Sequence, residues 1–322
     1  LLKGMNLTDV VTLGETMILL QPTQPLPLAY VANFVRSIGG SESNLAIALC
    51  RLGKKARWIS RLGADTFGDL VERTLRGEGV DVSFVVRDAG APTGLYFREY
   101  RAGEPLAHYY RRGSAASRLS PNDVQKEWLE DARHLHLTGI TPALGEQTKA
   151  GVLKAMLLAR SMGKTISFDP NLRHKLWSEA EARTTLIELI PRADLVLPGL
   201  GEAEFLLGKG SPEVLGRKLL ELGAKIVVLK LGEAGAMLFT ATQTLEAVGY
   251  KVDRVIDPIG AGDAFAAGFL SAWLDDADNL PKALRRGCIL GALATQFNGD
   301  WEGLPTLAEL EAIEAGQTEV IR

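Results

Sequence analysis

The chain has 322 residues, 46% of them hydrophobic, enough to bury a large core as one big domain or two ordinary ones. Lys and Arg total 36 against 39 Asp and Glu, a formal net charge of −3; this offers no long-range attraction to nucleic acid or an anionic membrane, so an anionic ligand must be met by local charge. Cys50 and Cys288 lack the spacing of a zinc site, redox pair or disulfide framework, and no run approaches the roughly 18 apolar residues needed to span a bilayer, so a soluble, cytoplasmic protein is expected.

In chain order, residues 10–14 read as a first strand. Residues 43–52 carry Leu45, Ala46, Leu49 and Leu52 at helical spacing, with Ser41 or Ser43 placed to cap the helix and Gly53 to end it. Strand 56–60 follows. The rhythm continues with strand 134–137, helix 146–162, and strands 165–169 and 194–197. A helix start at 202–207, strand 225–230 and helix 262–274 complete it. Alternation of this kind predicts an α/β fold with a mostly parallel central sheet between helical layers, and ligands in such sheets sit beyond the carboxyl ends of the strands.

Two segments break the alternation. Residues 94–100 and 107–112 flank a turn-like stretch at 101–105 and predict a β-hairpin with no helix attached, and 19–36 is Pro-rich and unhelical. Together, 19–36 and 92–113 are expected to form a small antiparallel β-lid, with 1–18, 37–91 and 114–322 making the main domain. A lid excludes water from a reacting site. Its exposed strand edges favour pairing between subunits, so a homo-oligomer is expected. Residues 315–322 read as a frayed end or an edge strand.

Gly260-Ala261-Gly262 precedes an apolar helical run containing Ala264, Phe265, Gly268 and Phe269, which puts backbone N–H groups at a helix N-terminus where anions bind. Asp263, in the first turn, stands where it can take a proton or orient a hydroxyl beside that anion, an arrangement suited to phosphoryl transfer. Read alone, Gly-x-Gly-Asp is also an ordinary helix start, because first turns favour acids. No Gly-Lys-Ser/Thr follows, so it is not a Walker loop, and no Gly-x-Gly-x-x-Gly follows the first strand as a Rossmann dehydrogenase requires.

The longer stretch Asp257-Pro258-Ile259-Gly260-Ala261-Gly262-Asp263-Ala264-Phe265 closely resembles the C-terminal signature of the ribokinase-like, or PfkB, carbohydrate kinases. Gly39-Gly40-Ser41-Glu42-Ser43-Asn44, Asp169-Pro170-Asn171-Leu172-Arg173 and Lys230-Leu231-Gly232-Glu233-Ala234-Gly235 resemble further motifs of that family in the same order. The resemblance implies a three-layer ribokinase-like sandwich, ATP and Mg²⁺, Asp263 as catalytic base and Gly260, Ala261 and Gly262 as the anion hole. It also implies a sugar site at Gly39, Gly40 and Asn44, and an ATP site at Asn171, Arg173, Lys230, Gly232, Gly235, Cys288 and the 260–263 stretch.

Within the family, Gly14-Glu15-Thr16 and the hairpin resemble kinases of 2-keto-3-deoxygluconate. For such a sugar acid, Arg111 and Arg173 are the candidate carboxylate ligands, since a planar guanidinium holds a carboxylate through two parallel charge-assisted bonds. Tyr96, Tyr109, Tyr110 and Asp300 complete the implied acceptor site. A neutral-sugar kinase acting on fructose or ribose, a kinase of a related deoxy keto-acid, and a non-catalytic sugar or nucleotide sensor are the alternatives. Two departures stand out. Gly199-Leu200-Gly201-Glu202 keeps the acid that the family uses near Mg²⁺, through water, but loses the preceding Asn, and Cys288 stands where related kinases often have Asn.

Overall fold

The computed structural model describes residues 7–101 and 104–316. Strands β1 (Thr8–Leu13), β2 (Met17–Pro22) and β3 (Phe34–Gly39) lead into helix α1 (Ser41–Arg51), then β4 (Ala56–Ile59), β5 (Arg61–Gly63), α2 (Thr66–Gly77) and β6 (Val86–Asp88). The hairpin β7 (Leu95–Arg101) and β8 (Glu104–Tyr110) precedes β9 (Ala132–Thr138), α3 (Glu146–Ser161), β10 (Thr165–Asp169), α4 (Glu179–Leu189), β11 (Leu195–Val196), α5 (Leu200–Leu207) and α6 (Pro212–Glu221). The chain continues through β12 (Ile226–Lys230), β13 (Gly235–Phe239), β14 (Thr244–Val248), α7 (Ala261–Asp275), α8 (Leu280–Ala294) and α9 (Leu307–Glu314).

The main sheet runs β14-β13-β12-β11-β10-β9-β1-β4, parallel from β4 to β12 and antiparallel at the β13 and β14 edge. β11 and β12 read as apolar runs because both faces are buried, whereas β9 and β10 alternate, with His134, His136 and Ser167 buried on the other face. Val10 packs into the core formed with α1, α7 and α8. Its neighbours Val11 and Leu13 point the other way, into the core with α3, α4 and α6.

The second sheet runs β3-β2-β7-β8. It is antiparallel except at its centre, where β2 and β7 run parallel. Its strands start at Met17 and end at Gly39, beyond both ends of 19–36, and a single 3-10 turn at Leu28–Tyr30 interrupts that segment. The centre of the expected hairpin turn, Ala102 and Gly103, lies outside the described residues, as do 317–322 of the expected frayed end; Ala315 and Gly316 follow α9 as a turn.

One expectation at α1 is corrected. Gly40 is the N-cap and no side chain caps the helix. The Ser41 hydroxyl instead donates to Asp263, 2.6 Å away, and Ser43 donates to the Gly40 carbonyl at 2.9 Å. Gly53 does follow the helix end, at φ +77°.

Candidate active site

The carboxyl ends of β1, β9, β10 and β12 deliver Glu15, Thr138, Asp169 and Lys230 to one end of the sheet, where the N-terminal turn of α7 and the inner face of the lid close over them. Gly260 caps α7 in the left-handed region, φ +84°, and a Cβ there would fall 2.2 Å from the Asp300 carbonyl oxygen. Only glycine meets both demands. At Gly262 a Cβ would meet only the Lys230 Nζ, at 3.5 Å; the first turn of α7 therefore faces open space beside a cation.

Asp263 is buried at that turn. Its Oδ1 accepts from Ser41 Oγ at 2.6 Å and from Asn171 Nδ2 at 3.4 Å, and its Oδ2 accepts from Asn44 Nδ2 at 2.8 Å. Burial pushes its pKa up to about 6, against the lowering pull of Ser41, Asn44 and the Arg173 charge. Asn171, at φ +38°, also donates to Ser41 at 2.7 Å. It joins the Asp263 cluster, whereas the sequence reading grouped it with ATP.

Two adjoining spaces meet beside the first turn of α7. One, of about 590 Å³, is mostly apolar: Leu200, Leu231, Tyr250, Val252, Val255 and Phe265 line it, with Gly232, Gly235 and Cys288 in its wall. The Cys288 Sγ lies 3.9 Å from the Ala247 carbonyl, and burial pushes the thiol up to about 11, so it stays protonated. The other space, of about 680 Å³, is lined by Tyr109, Arg111, Asp169, Arg173, Glu202, Lys230 and Asp263. Lys230 and Gly262 border both.

Lys230 Nζ pairs with Asp169 at 2.6 Å. Burial disfavours its charge, but Asp169 and Glu202 outweigh that and raise its pKa, keeping it cationic. Glu202 accepts from the backbone N–H groups of Leu172 and Gly199, each at 2.7 Å. It ties the β10 exit to the α5 cap. Among the described residues no group of three or more His, Cys, Asp or Glu is assembled around a metal position. Asp169 and Glu202 border the polar space, and such a donor set fits a Mg²⁺ that keeps waters and rests chiefly on phosphate oxygens.

On the lid side, Tyr96 is buried, donates to Asp300 at 3.0 Å and stacks on Tyr109 with centroids 5.5 Å apart. Gly39 packs against this Tyr96 and Asp300 contact. Tyr110 is not part of the cluster. Side chains alternate along β8, so it points to the outer lid face, 67% exposed and edge-on to Phe97. Asp300 does border the acceptor side, but Arg98 and Tyr96 already engage its carboxylate.

Arg98, Ser41, Glu42 and Asp169 complete the site, and the sequence reading assigns none of the four a role in it. Arg98 is fully buried, pairs with Asp257, and reaches Asp300 at 2.5 Å. The signal for it was available, since Arg98 lies two residues after Tyr96 on a strand and must share its face. Glu42 is also fully buried, with Thr138 and Thr141 hydroxyls on Oε1 at 2.7 and 2.9 Å, and burial pushes it up to about 7.

The sequence matches the pfkB family carbohydrate kinase over residues 7–307. The chain belongs to that family. A 2-dehydro-3-deoxygluconokinase of Bacillus subtilis (strain 168) is 40% identical over 97% of this chain and 97% of its own. A Fructokinase-1 of Oryza sativa subsp. japonica is 36% identical over 94% and 96%. Among solved structures, a PfkB protein from Polaromonas sp. JS666 superposes with TM-score 0.87 at 43% identity, covering 95% of this kinase and 99% of that chain. A putative Ribokinase II from E. coli, described in complex with ATP and Mg²⁺, gives 0.88 at 28% identity, covering 96% and 100%. The protein is an ATP-dependent carbohydrate kinase on a ribokinase-like fold, and no helix among its described residues is long and apolar enough to cross a membrane.

Proposed function

We propose that this kinase transfers the γ-phosphoryl group of ATP to the terminal 6-hydroxyl of 2-keto-3-deoxygluconate. The observation that carries the reading is one constellation: a buried carboxylate, Asp263, in a polar space that holds two arginines and meets an apolar space at Gly262 and Lys230. The nucleobase lies in the apolar space, and the β- and γ-phosphates lie along residues 260–262 beside Lys230. Mg²⁺, when bound with the nucleotide, neutralises charge on the phosphate oxygens.

Asp263 accepts the proton of the 6-hydroxyl as its oxygen attacks the γ-phosphorus; the bond to the β-bridging oxygen breaks and ADP leaves. Ser41, Asn44 and Asn171 hold the carboxylate for that step. Arg173 and Arg111 hold the acid end of the sugar, and Tyr109 packs along its chain. The name of the B. subtilis relative supports the acid as acceptor. The rice relative's name favours a second reading, fructose with the same machinery.

A panel of sugar acids and neutral sugars, assayed for ADP formation with the product's phosphate position identified, separates the two. In the same assay Asp263→Asn should lose about 10²- to 10⁴-fold in turnover, the range for a positioned general base. Unchanged ADP formation at saturating acceptor would remove Asp263 from the chemistry.

A further inference from the structure

The chain crosses between the main sheet and the lid four times, and all four crossings meet at Glu15. The first is Glu15 itself, between β1 and β2. At the second, from β3 into α1, Gly40 lies so close that a Cβ would fall 2.3 Å from the Glu15 carbonyl oxygen. At the third, into β7, a Cβ on Gly94 would fall 2.8 Å from Glu15 Oε1. The fourth, leaving β8, brings Arg111 Nε to 2.7 Å from Oε2, with Nη2 on the same oxygen, and Ser114 Oγ to Oε1.

Glu15 is only 3% exposed. Removing both charges of such a pair from water costs as much as their attraction returns, so the pair is weak as a source of stability and its value must lie in geometry. That geometry is specific. The Glu15 carboxylate occupies the Nε and Nη2 edge of the guanidinium, while Nη1 has no protein partner among the described residues. Arg111 also sits over the Tyr109 ring, 5.6 Å from its centroid, and borders the acceptor space. Five N–H donors in a rigid fork leave the far end able to take a second carboxylate.

We propose that Glu15 is the positioning residue of the acceptor site: it pins the lid's return strand to the body and turns the free end of Arg111 toward an anionic acceptor. Selection of the acid then depends on Glu15, which acts through Arg111. This rests on the reading of Arg111 as a carboxylate ligand, and the test separates the two.

The protein is assayed with 2-keto-3-deoxygluconate and ATP as wild type, Glu15→Gln, Arg111→Lys and the double variant, with thermal melting alongside. Losing one charge-assisted contact should raise KM for the acid by about tenfold in Glu15→Gln, with KM for ATP unchanged. The double variant should be no worse than Arg111→Lys, because one route carries both effects. An acid KM in Glu15→Gln close to wild type while Arg111→Lys raises it, or additive effects in the double variant, overturns the role of Glu15 and leaves Arg111 standing. An unchanged KM in Arg111→Lys, or turnover of fructose in place of the acid, overturns both. Should Glu15→Gln not fold, Glu15→Asp, which keeps the charge but shortens the reach, is read in the same way.

Discussion

Asp263 is a carboxylate on which burial and hydrogen bonding act in opposite directions, and burial wins. Its pKa, raised from 3.8 to about 6, fixes the sign of the pH dependence. The carboxylate is the form that accepts a proton, so turnover should fall about tenfold per pH unit below pH 6 and level off above it. A pH–rate profile checks this, and the residual activity of Asp263→Asn should lack that limb. Stability follows the opposite sense: the folded state binds this proton more tightly than the unfolded chain does, so the contribution is fully present below about 3.8 and is lost as pH rises through about 6. The place of Asp263 at a glycine-rich helix start was legible in the sequence, because that is a local pattern. Its three hydrogen-bond donors were not, since Ser41, Asn44 and Asn171 come from 92 to 222 positions away.

Among elements, the lid strand β7 is joined to the loop before α7 and to the α8–α9 connection by one charged cluster, Arg98 with Asp257 and Asp300. Removing the cation leaves two buried carboxylates without a countercharge. Arg98→Ala should therefore destabilise the fold by about 3–5 kcal/mol, read as a fall in the denaturant midpoint, and the acceptor KM should rise with it because Tyr96 shares Asp300. A loss below about 1 kcal/mol would show the cluster to be solvated in solution. The strand itself was legible from its aromatic run, Tyr96, Phe97 and Tyr100. Which of its residues faced the site was only partly so. Alternation separates Tyr109 from Tyr110 and pairs Tyr96 with Arg98, yet it does not say which set looks inward.

At the scale of the molecule, one sheet separates two apolar cores, and residues adjacent in sequence, such as Val10 and Val11, belong to different ones. The two cores share strands β1, β4, β11, β12 and β13, so the main domain should unfold as a unit. Phe168→Ala, at a fully buried position in the α3-side core, should cost about 3–5 kcal/mol and shift one common midpoint; a second transition by circular dichroism would contradict this.

The alternation of strands and helices, the family of the chain and the glycine-rich turn were decided by the sequence itself, because each rests on residues within a few positions of one another and on periodicities the backbone imposes. The tertiary structure alone decided that Glu202 is spent on two backbone N–H groups, that Tyr110 turns away from the site, and that Arg111 meets Glu15 across 96 positions. Glu202 with Leu172 and Arg111 with Glu15 are contacts between distant segments, and no local propensity encodes which distant partner a charged side chain will find.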